Sequence, residues 1–523
     1  MTPLNIALLK MTKRAEKRDI KQLVESFVDV GSVFHSLDVI DHQALYGRRG
    51  TGKTHILSYL VDQKRNAGKV AVTLDMRTIG SSGGLYSDAK IPLAERATRL
   101  LRDTLIAIHD AFLEDACTGN NPVVDLSLCG EGLDALISAA GEVSAEEVLE
   151  TESVVTRSET QDGRFTLRGG SSGIAVEVGY NEEDHATSDR RVKKSGVPRL
   201  HTNFGSVQRE LTKLVGRFPG RQLWIVLDEW SEVPLELQPY LADMLARTMF
   251  PVVGVTVKIA AIRQRTRFRV PRDDGSYIGF EIGADVSAGI DLDENLVFEN
   301  SPDAAREFFR TMLWKHVSTM EEPPPGMPDI TSVDTFVREA FTQVTALEEL
   351  VRAAEGIPRD AINIIGTAAT RAKDERVSVR HIRGAALSWY QSNKQSAISA
   401  RSDAERLLTW IVDEVIKGKK ARAFLLSVDS KDELIDYLYD ARGIHLIKQN
   451  ISGQDVAGAR FNVYSLDYGL YVDLITTVNA PTSLLGTESG ESGENVDVPM
   501  ADYRSIRRAI LDLREFHKAM ESK

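Results

Sequence analysis

Apolar residues along this chain fall into two rhythms. Short, nearly unbroken runs occur in "HQALY", "KVAVTLDMR" (Lys69 to Arg77), "QLWIVLDEW" and "TVKIAAI", and these read as strands buried on both faces. Between them lie stretches of helical period. In "THILSYLVDQKRNAG" Ile56, Leu57, Leu60 and Val61 share one face and the pattern stops at Gly68. Pro92 to Leu113, "FGSVQRELTKLVGRF" and "LELQPYLADMLARTMF" repeat the same spacing. The first forty residues end in a helix-like segment too short for a domain of its own. Between about Thr118 and Leu200 the pattern fails: "GRFTLRGGSSGIAVEVGY" alternates as a hairpin would, and "NEEDHATSDRRVKKSG" is polar and periodless, so an inserted hairpin and loop are expected. From Ser301 to about Ser396 the pattern is helical, broken at "EEPPPGMPD". From Ala404 to Thr476 three helical segments precede "IHLIKQNI" and "RFNVYSLDYGLYVDLI", which alternate as strands, and helices followed by a hairpin predict a winged helix. A polar linker, "APTSLLGTESGESGENVDVPM", leads to an exposed helix over Tyr503 to Met520.

Chemistry enters where a strand meets a helix. In "ALYGRRGTGKTHILSYL" the residues Gly47, Gly50, Gly52, Lys53 and Thr54 fit G-x-x-x-x-G-K-[ST], a glycine-rich loop whose backbone N–H groups cradle phosphates at a helix N-terminus. Gly47, Arg48, Arg49, Gly50, Thr51, Gly52, Lys53, Thr54 and His55 are therefore the expected nucleotide-contacting segment. Asp228 and Glu229 stand at the C-terminal end of the run Leu223 to Leu227, where parallel sheets place their ligands. Asp228 is suited to hold Mg²⁺, mostly through water, and Glu229 to orient the water that attacks a γ-phosphate.

Composition bounds what surrounds this site. The chain has 523 residues, 42% hydrophobic and 27% charged, so more than one soluble domain is expected. A net charge of −12 argues against coating nucleic acid or anionic membrane through bulk electrostatics. With two cysteines, Cys117 and Cys129, no signal-peptide pattern and no run of membrane-spanning length, a cytoplasmic setting is expected. Neither cysteine nor histidine spacing suggests zinc. Local cationic features remain. Arg263, Arg265, Arg267 and Arg269 alternate and, if extended, would all point to one side. "KGKKAR", Lys417 to Arg422, is a second basic cluster. Against a groove-reading role, "SKDELIDYLYDARG" opposes Asp432, Glu433, Asp436 and Asp440 to Lys431 and Arg442.

Taken together, GRRGTGKT, LWIVLDE, the element Gly356-Ile357-Pro358-Arg359 and the C-terminal helices and hairpin resemble the AAA+ ATPases, and within them the prokaryotic relatives of the origin-recognition initiator clade. The resemblance implies an α/β P-loop core, a parallel sheet flanked by helices, with a helical lid and a C-terminal winged helix. Its divisions would be a helical lead at 1–40, a core at 41–300 with the insertion at about 118–200, a lid at 301–398, a winged helix at 401–478 and a linker with terminal helix at 479–523. It implies ATP and Mg²⁺ as cofactors, Lys53 on the β and γ phosphates, Thr54 on the metal beside Asp228, and Arg359 as the lid arginine called sensor 2. Sensor 1 departs from the family pattern: "AAIRQRTR" offers Gln264 or Arg263 where Asn, Ser or Thr is usual. Arg247 falls where some clamp-loader-like members place an arginine that acts on a neighbouring subunit's ATP. Two functions share such a site. One is an ATP-hydrolysing switch that assembles with ATP and works on DNA. The other is a signalling or antiviral-defence ATPase of the STAND type, whose winged helix contacts protein and whose effector is encoded nearby.

Overall fold

The computed structural model describes residues 1–12, 19–79, 88, 90–118, 126–140, 143–147, 196–200, 203–298, 301–418, 421–452, 458–476 and 509–521. Four of the predicted strands and a fifth form one sheet: β1 (Gln43–Tyr46), β2 (Val70–Asp75), β3 (Leu223–Asp228), β4 (Val255–Ala261) and β5 (Ser287–Asp291). All neighbours are parallel, in the order β2-β3-β4-β1-β5. The period of two divides the strands between two cores. Leu45, Ala71, Val226 and Ala260 face the helix Lys53–Asn66 and pack on Ile56, Leu57, Leu60 and Val61. Tyr46, Val72, Ile225, Leu227 and Ile259 face the opposite layer, built from Leu93–Thr118, Phe204–Arg217 and Gln238–Thr248. Helices on both faces of a parallel sheet are the α/β core that the resemblance implied.

The insertion contains a helix, Leu126–Ala140, and an antiparallel pair, Val143–Glu147 with Gly196–Leu200. The hairpin expected in "GRFTLRGGSSGIAVEVGY" lies outside the described residues, as do the linker and Lys419 and Lys420.

A second core is helical. Pro302–Ser318, Val333–Ala340, Val344–Ala354, Pro358–Ala372 and Val379–Trp389 pack around Phe309, Leu313, Phe336, Leu350 and Ile365. The N-terminal helix Pro3–Lys10 belongs to this body: Leu4, Ala7 and Leu8 enter its core, and the Asn5 amide donates to the carbonyls of Lys373 and Glu375, both at 2.8 Å.

The third body differs from expectation in two places. "AFLLS", Ala423–Ser427, is a strand, and it joins the hairpin Ile444–Ser452 and Arg460–Leu466 as an antiparallel sheet. "YGLYVDLI" is a helix, Tyr468–Thr476, because the Asp467 carboxylate accepts the N–H groups of Gly469 (2.9 Å) and Leu470 (3.3 Å), a cap that alternation alone does not reveal. The helices Ser402–Val412 and Glu433–Asp440 pack on this sheet. The terminal helix is shorter than predicted, Leu513–Glu521, and Ala509 to Leu511 lie along the Ala423–Ser427 strand, bonded to Leu425 at 2.9 and 3.0 Å. Among the described residues no helix is long and apolar enough to cross a membrane.

Candidate functional site

The glycine-rich loop leaves β1 and turns into the helix Lys53–Asn66. Gly50 and Gly52 hold φ of +95° and +100°, values that side chains rarely adopt. Gly50 has a second reason to be glycine: a Cβ there would sit 2.7 Å from the Cβ of Arg359, where the helix Pro358–Ala372 of the helical body meets the loop. The Arg359 N–H donates to the Gly50 carbonyl at 3.2 Å, so this helix and the loop are bonded backbone to backbone.

Lys53 is buried, and its ammonium donates to the carbonyls of Gly47 (2.8 Å) and Arg48 (3.1 Å). Burial pulls its pKa down, and the charges of Glu229, Asp228 and Asp293 oppose that. The Thr54 hydroxyl donates to Asp228 Oδ2 at 2.7 Å across the gap between loop helix and β3. Asp228 is buried, which raises its pKa against the bonds from Thr54 and from the Glu229 N–H. Glu229 takes a left-handed backbone, φ 54° and ψ 38°, strain of about 1–3 kcal/mol that turns its side chain into the cavity rather than along the strand. Desolvation and the neighbouring Asp228 raise the Glu229 pKa, while Lys53 and Arg77 lower it.

Lys53, Thr54 and Glu229 line a cavity of about 390 Å³, within the range of roughly 300–1,000 Å³ typical of ligand pockets, and Asp228 reaches it only through its bond from Thr54. Its walls are of two kinds. Part of the lining is polar: Arg49, Gly50, Thr51, Gly52, Lys53, Thr54, Arg77, Glu229, Glu232 and Arg359. Another part is apolar, Leu23, Val28, Val30, Phe308, Met312 and Ile362, and His55 and His316 also line the cavity. The His55 Nε2 lies 2.6 Å from the Leu23 carbonyl, and Phe27 stacks on Tyr59 with centroids 4.0 Å apart, so the segment after Asp19 is clamped against the loop helix as a wall. This segment, read from sequence as a mere lead, contributes Leu23, Phe27, Val28 and Val30 to the site. Arg77, just beyond β2 and paired with Asp75 through bonds of 2.6 to 3.0 Å, was likewise not anticipated, although it ends the predicted strand "KVAVTLDMR".

A triphosphate's cation fits this geometry. Thr54 and Asp228 present hard oxygen donors side by side, the donor type Mg²⁺ takes. Among the described residues no group of three or more His, Cys, Asp or Glu is poised to hold a metal.

Other expected residues lie elsewhere. Gly47 and Arg48 are not part of the cavity wall, and the Arg48 side chain runs the opposite way, fully buried, to Asp293. Arg49 does line the cavity, but it is half exposed and pairs with Glu232 at 2.5 Å. Gln264 is half-buried in a turn and does not reach the cavity, and Arg263 pairs with Asp291 at 3.0 Å. Arg247 ends its helix, exposed, and pairs with Asp243 one turn back at 2.7 Å. The arginine row does not form. Arg263–Arg265 is a 3₁₀ turn, and within the row a strand begins only at Arg269, running to Pro271. The turn is fixed from outside: the Ile262 N–H donates to the Ser231 hydroxyl at 2.7 Å, and the Gln238 amide bonds both the Arg265 carbonyl and the Arg267 N–H. Arg265 pairs with Asp440 and Arg269 with Glu281, so the cationic face is largely neutralised.

Residues 11–66 match a family model described as ORC-CDC6-like. Over that segment, which holds the glycine-rich loop and Leu23, Phe27, Val28 and Val30 of the cavity wall, the chain is similar to those proteins, as the motifs implied. No curated protein matches the chain. Solved structures that match include a Walker-type ATPase of Pyrococcus abyssi, 11% identical, covering 89% of this chain and 99% of that one at a TM-score of 0.35. Another is the Orc1 protein of Aeropyrum pernix in complex with DNA, 13% identical, covering 87% and 96% at a TM-score of 0.30.

Proposed function

We propose that this protein is an ATP-binding and ATP-hydrolysing AAA+ switch whose lid and C-terminal body respond to the nucleotide. The observation that carries the reading is the convergence of Lys53, Thr54, Glu229 and Arg359 on one cavity from three separated stretches of sequence, with Asp228 joined to it through the Thr54 hydroxyl. Lys53 neutralises the β and γ phosphates, and Thr54 and Asp228 hold Mg²⁺, which stabilises the charge on the leaving diphosphate. Glu229, a carboxylate whose proton affinity is raised, accepts a proton from the attacking water. Arg359, anchored to the loop through its own backbone, senses the γ-phosphate from the lid. No polar residue from the 263–266 turn reaches the cavity, so sensor 1 has no occupant in this reading. The divisions carried forward are those of the sequence, with the N-terminal helix Pro3–Lys10 reassigned to the lid and residues after Asp19 to the nucleotide site.

The test is Glu229→Gln. ATP binding should persist while turnover falls by roughly two to four decades, the contribution of a positioned base. Turnover like that of the unaltered protein would remove Glu229 from the mechanism. The same variant, held with ATP, tests ATP-promoted assembly and the trans role of Arg247: sedimentation as a monomer under those conditions would refute both.

Two partners for the C-terminal body divide the reading. DNA is the partner the initiator resemblance suggests, and protein is the STAND-like alternative. One observation favours protein. The helix Glu433–Asp440, which a winged helix would offer to a major groove, is acidic and turned onto the ATPase core, with Tyr439 bonded to Asp293 at 3.0 Å and Asp440 paired with Arg265. Fluorescence anisotropy of the full chain with duplex DNA across a salt series separates the two. Weak binding is expected; tight binding with log affinity falling by about 0.9 per contacted phosphate against log salt would restore DNA as the partner.

A further inference from the structure

Arg48 is the most deeply buried cation near the phosphate loop, yet it faces away from the cavity. Its guanidinium pairs through Nε with Asp293 Oδ1 at 3.2 Å, donates from Nη1 to His445 Nδ1 at 2.7 Å, and lies 4.7 Å above the ring centre of Tyr439. Asp293 follows β5 of the core. His445 and Tyr439 belong to the C-terminal body, nearly four hundred positions along the chain. Tyr439 closes the ring of contacts by donating to Asp293 Oδ2, which also accepts the Arg48 N–H, both at 3.0 Å.

The chemistry fixes every proton in this chain of bonds. A guanidinium only donates and a carboxylate only accepts. His445 therefore accepts at Nδ1 and donates from Nε2 to Asp467 Oδ2, 2.9 Å away, which requires the neutral ring. Burial, which pushes the His445 pKa down to about 3, keeps it so. Asp467 accepts the Lys394 ammonium at 2.5 Å, and Lys394 pairs at 3.0 Å with Asp360, the residue after Arg359 on the lid. Arg442 completes the charge balance on Asp360 at 2.5 Å. Arg48, His445, Asp467, Lys394 and Asp360 are each at most 2% exposed.

The backbone of Arg48 is bonded to two residues that line the cavity. Its carbonyl accepts from Lys53 Nζ at 3.1 Å and from the Thr51 hydroxyl at 2.9 Å. One residue thus has its side chain gripped by the C-terminal body and its carbonyl bonded to the phosphate lysine. We propose that His445 and Tyr439 are positioning residues for the nucleotide site, acting through Arg48, so that seating of the C-terminal body and occupancy of the phosphate loop are coupled. This rests on the ATP reading above. The coupling is reciprocal: a loop shaped by the seated body binds nucleotide more tightly, and nucleotide holds the body in place. Without His445 the buried Nη1 of Arg48 loses its acceptor while Asp293 keeps the rest of the guanidinium in place, and the cost of that unmet donor falls on the loop that carries Arg48.

The test uses the full chain and three forms of position 445, with Kd measured by displacement of a fluorescent ATP analogue. His445→Leu fills the volume but neither accepts nor donates, and it should weaken ATP binding by about 5- to 150-fold, the usual span of coupling between linked sites. His445→Gln can accept from Arg48 with its carbonyl and donate to Asp467 with its amide, so its affinity should return to within about threefold of the native value. A residue that served only packing would not be rescued in this way. Because His445→Leu could fail to fold, hydrogen exchange of the native chain with and without ATP supplies the second readout. Amides between 433 and 446 should exchange more slowly with ATP, and this protection should be lost in Lys53→Ala. Native-like ATP affinity in folded His445→Leu, or exchange over 433–446 indifferent to bound ATP, overturns the coupling and leaves the ATP reading standing. Absence of ATP binding by the native chain overturns both.

Discussion

Acid should unseat the C-terminal body, and His445 sets the size of the effect. The ring is fully buried between Arg48 and Asp467, and desolvation together with the charges of Arg48 and Lys394 lowers its pKa to about 3, against the bond to Asp467 that raises it. The group's pKa is lower folded than unfolded, so its contribution is fully present above the unfolded value near 6.5 and is lost as pH falls toward 3. Between pH 6.5 and 5 the loss is 1.5 pH units at 1.36 kcal/mol each, about 2 kcal/mol, or roughly thirtyfold in a local opening constant. Hydrogen exchange of the strand Ile444–Ser452 at pH 7.5 and pH 5, corrected for intrinsic exchange rates, reads that constant directly. Native protein should lose about thirtyfold in protection over this interval. His445→Gln, which does not titrate, should lose far less. The rest of the chain titrates alike in both forms, so it cancels in the comparison. Equal losses in the two forms would refute the reasoning.

The lid arginine makes a separate prediction. Arg359→Ala should leave contacts to base and metal in place and erase most of the preference for ATP over ADP, because only ATP carries the γ-phosphate that the lid can sense; competition titrations with the two nucleotides check it, and an unchanged affinity ratio would contradict the role.

Legibility followed the range of the interactions. The turn from strand through glycine-rich loop to helix was readable because its signal is contiguous: Gly47 to Thr54 need only their own backbone and a following helix. The place of Asp228 and Glu229 at a strand end was readable because a strand buried on both faces announces its own end. The apolar wall was not, since Leu23, Val28 and Val30 gain meaning only when His55 and Lys315 bond the Leu23 and Phe27 carbonyls and fix that segment beside the loop. The arginine row failed for a related reason. Alternation from Arg263 to Arg269 is compatible with a strand, but Ser231 and Gln238, from another part of the chain, hold the backbone in a turn. Arg48 was read as one more loop residue facing phosphate. Its true partners, Asp293 and His445, lie 245 and 397 positions away, and nothing local marks them. The strand Ala423–Ser427 is buried over four of its five residues, a short apolar run that periodicity does not separate from a helix.

Calorimetric titration of Mg–ATP into the native chain and into Lys53→Ala tests the nucleotide site most directly. Lys53 is a buried cation of the cavity, and its ammonium is bonded to the loop carbonyls of Gly47 and Arg48. Saturable binding of one ATP per native chain is expected, with no measurable heat of binding in Lys53→Ala at the same concentrations. Equal binding by both proteins, or none by the folded native chain, would contradict the assignment of this cavity to ATP.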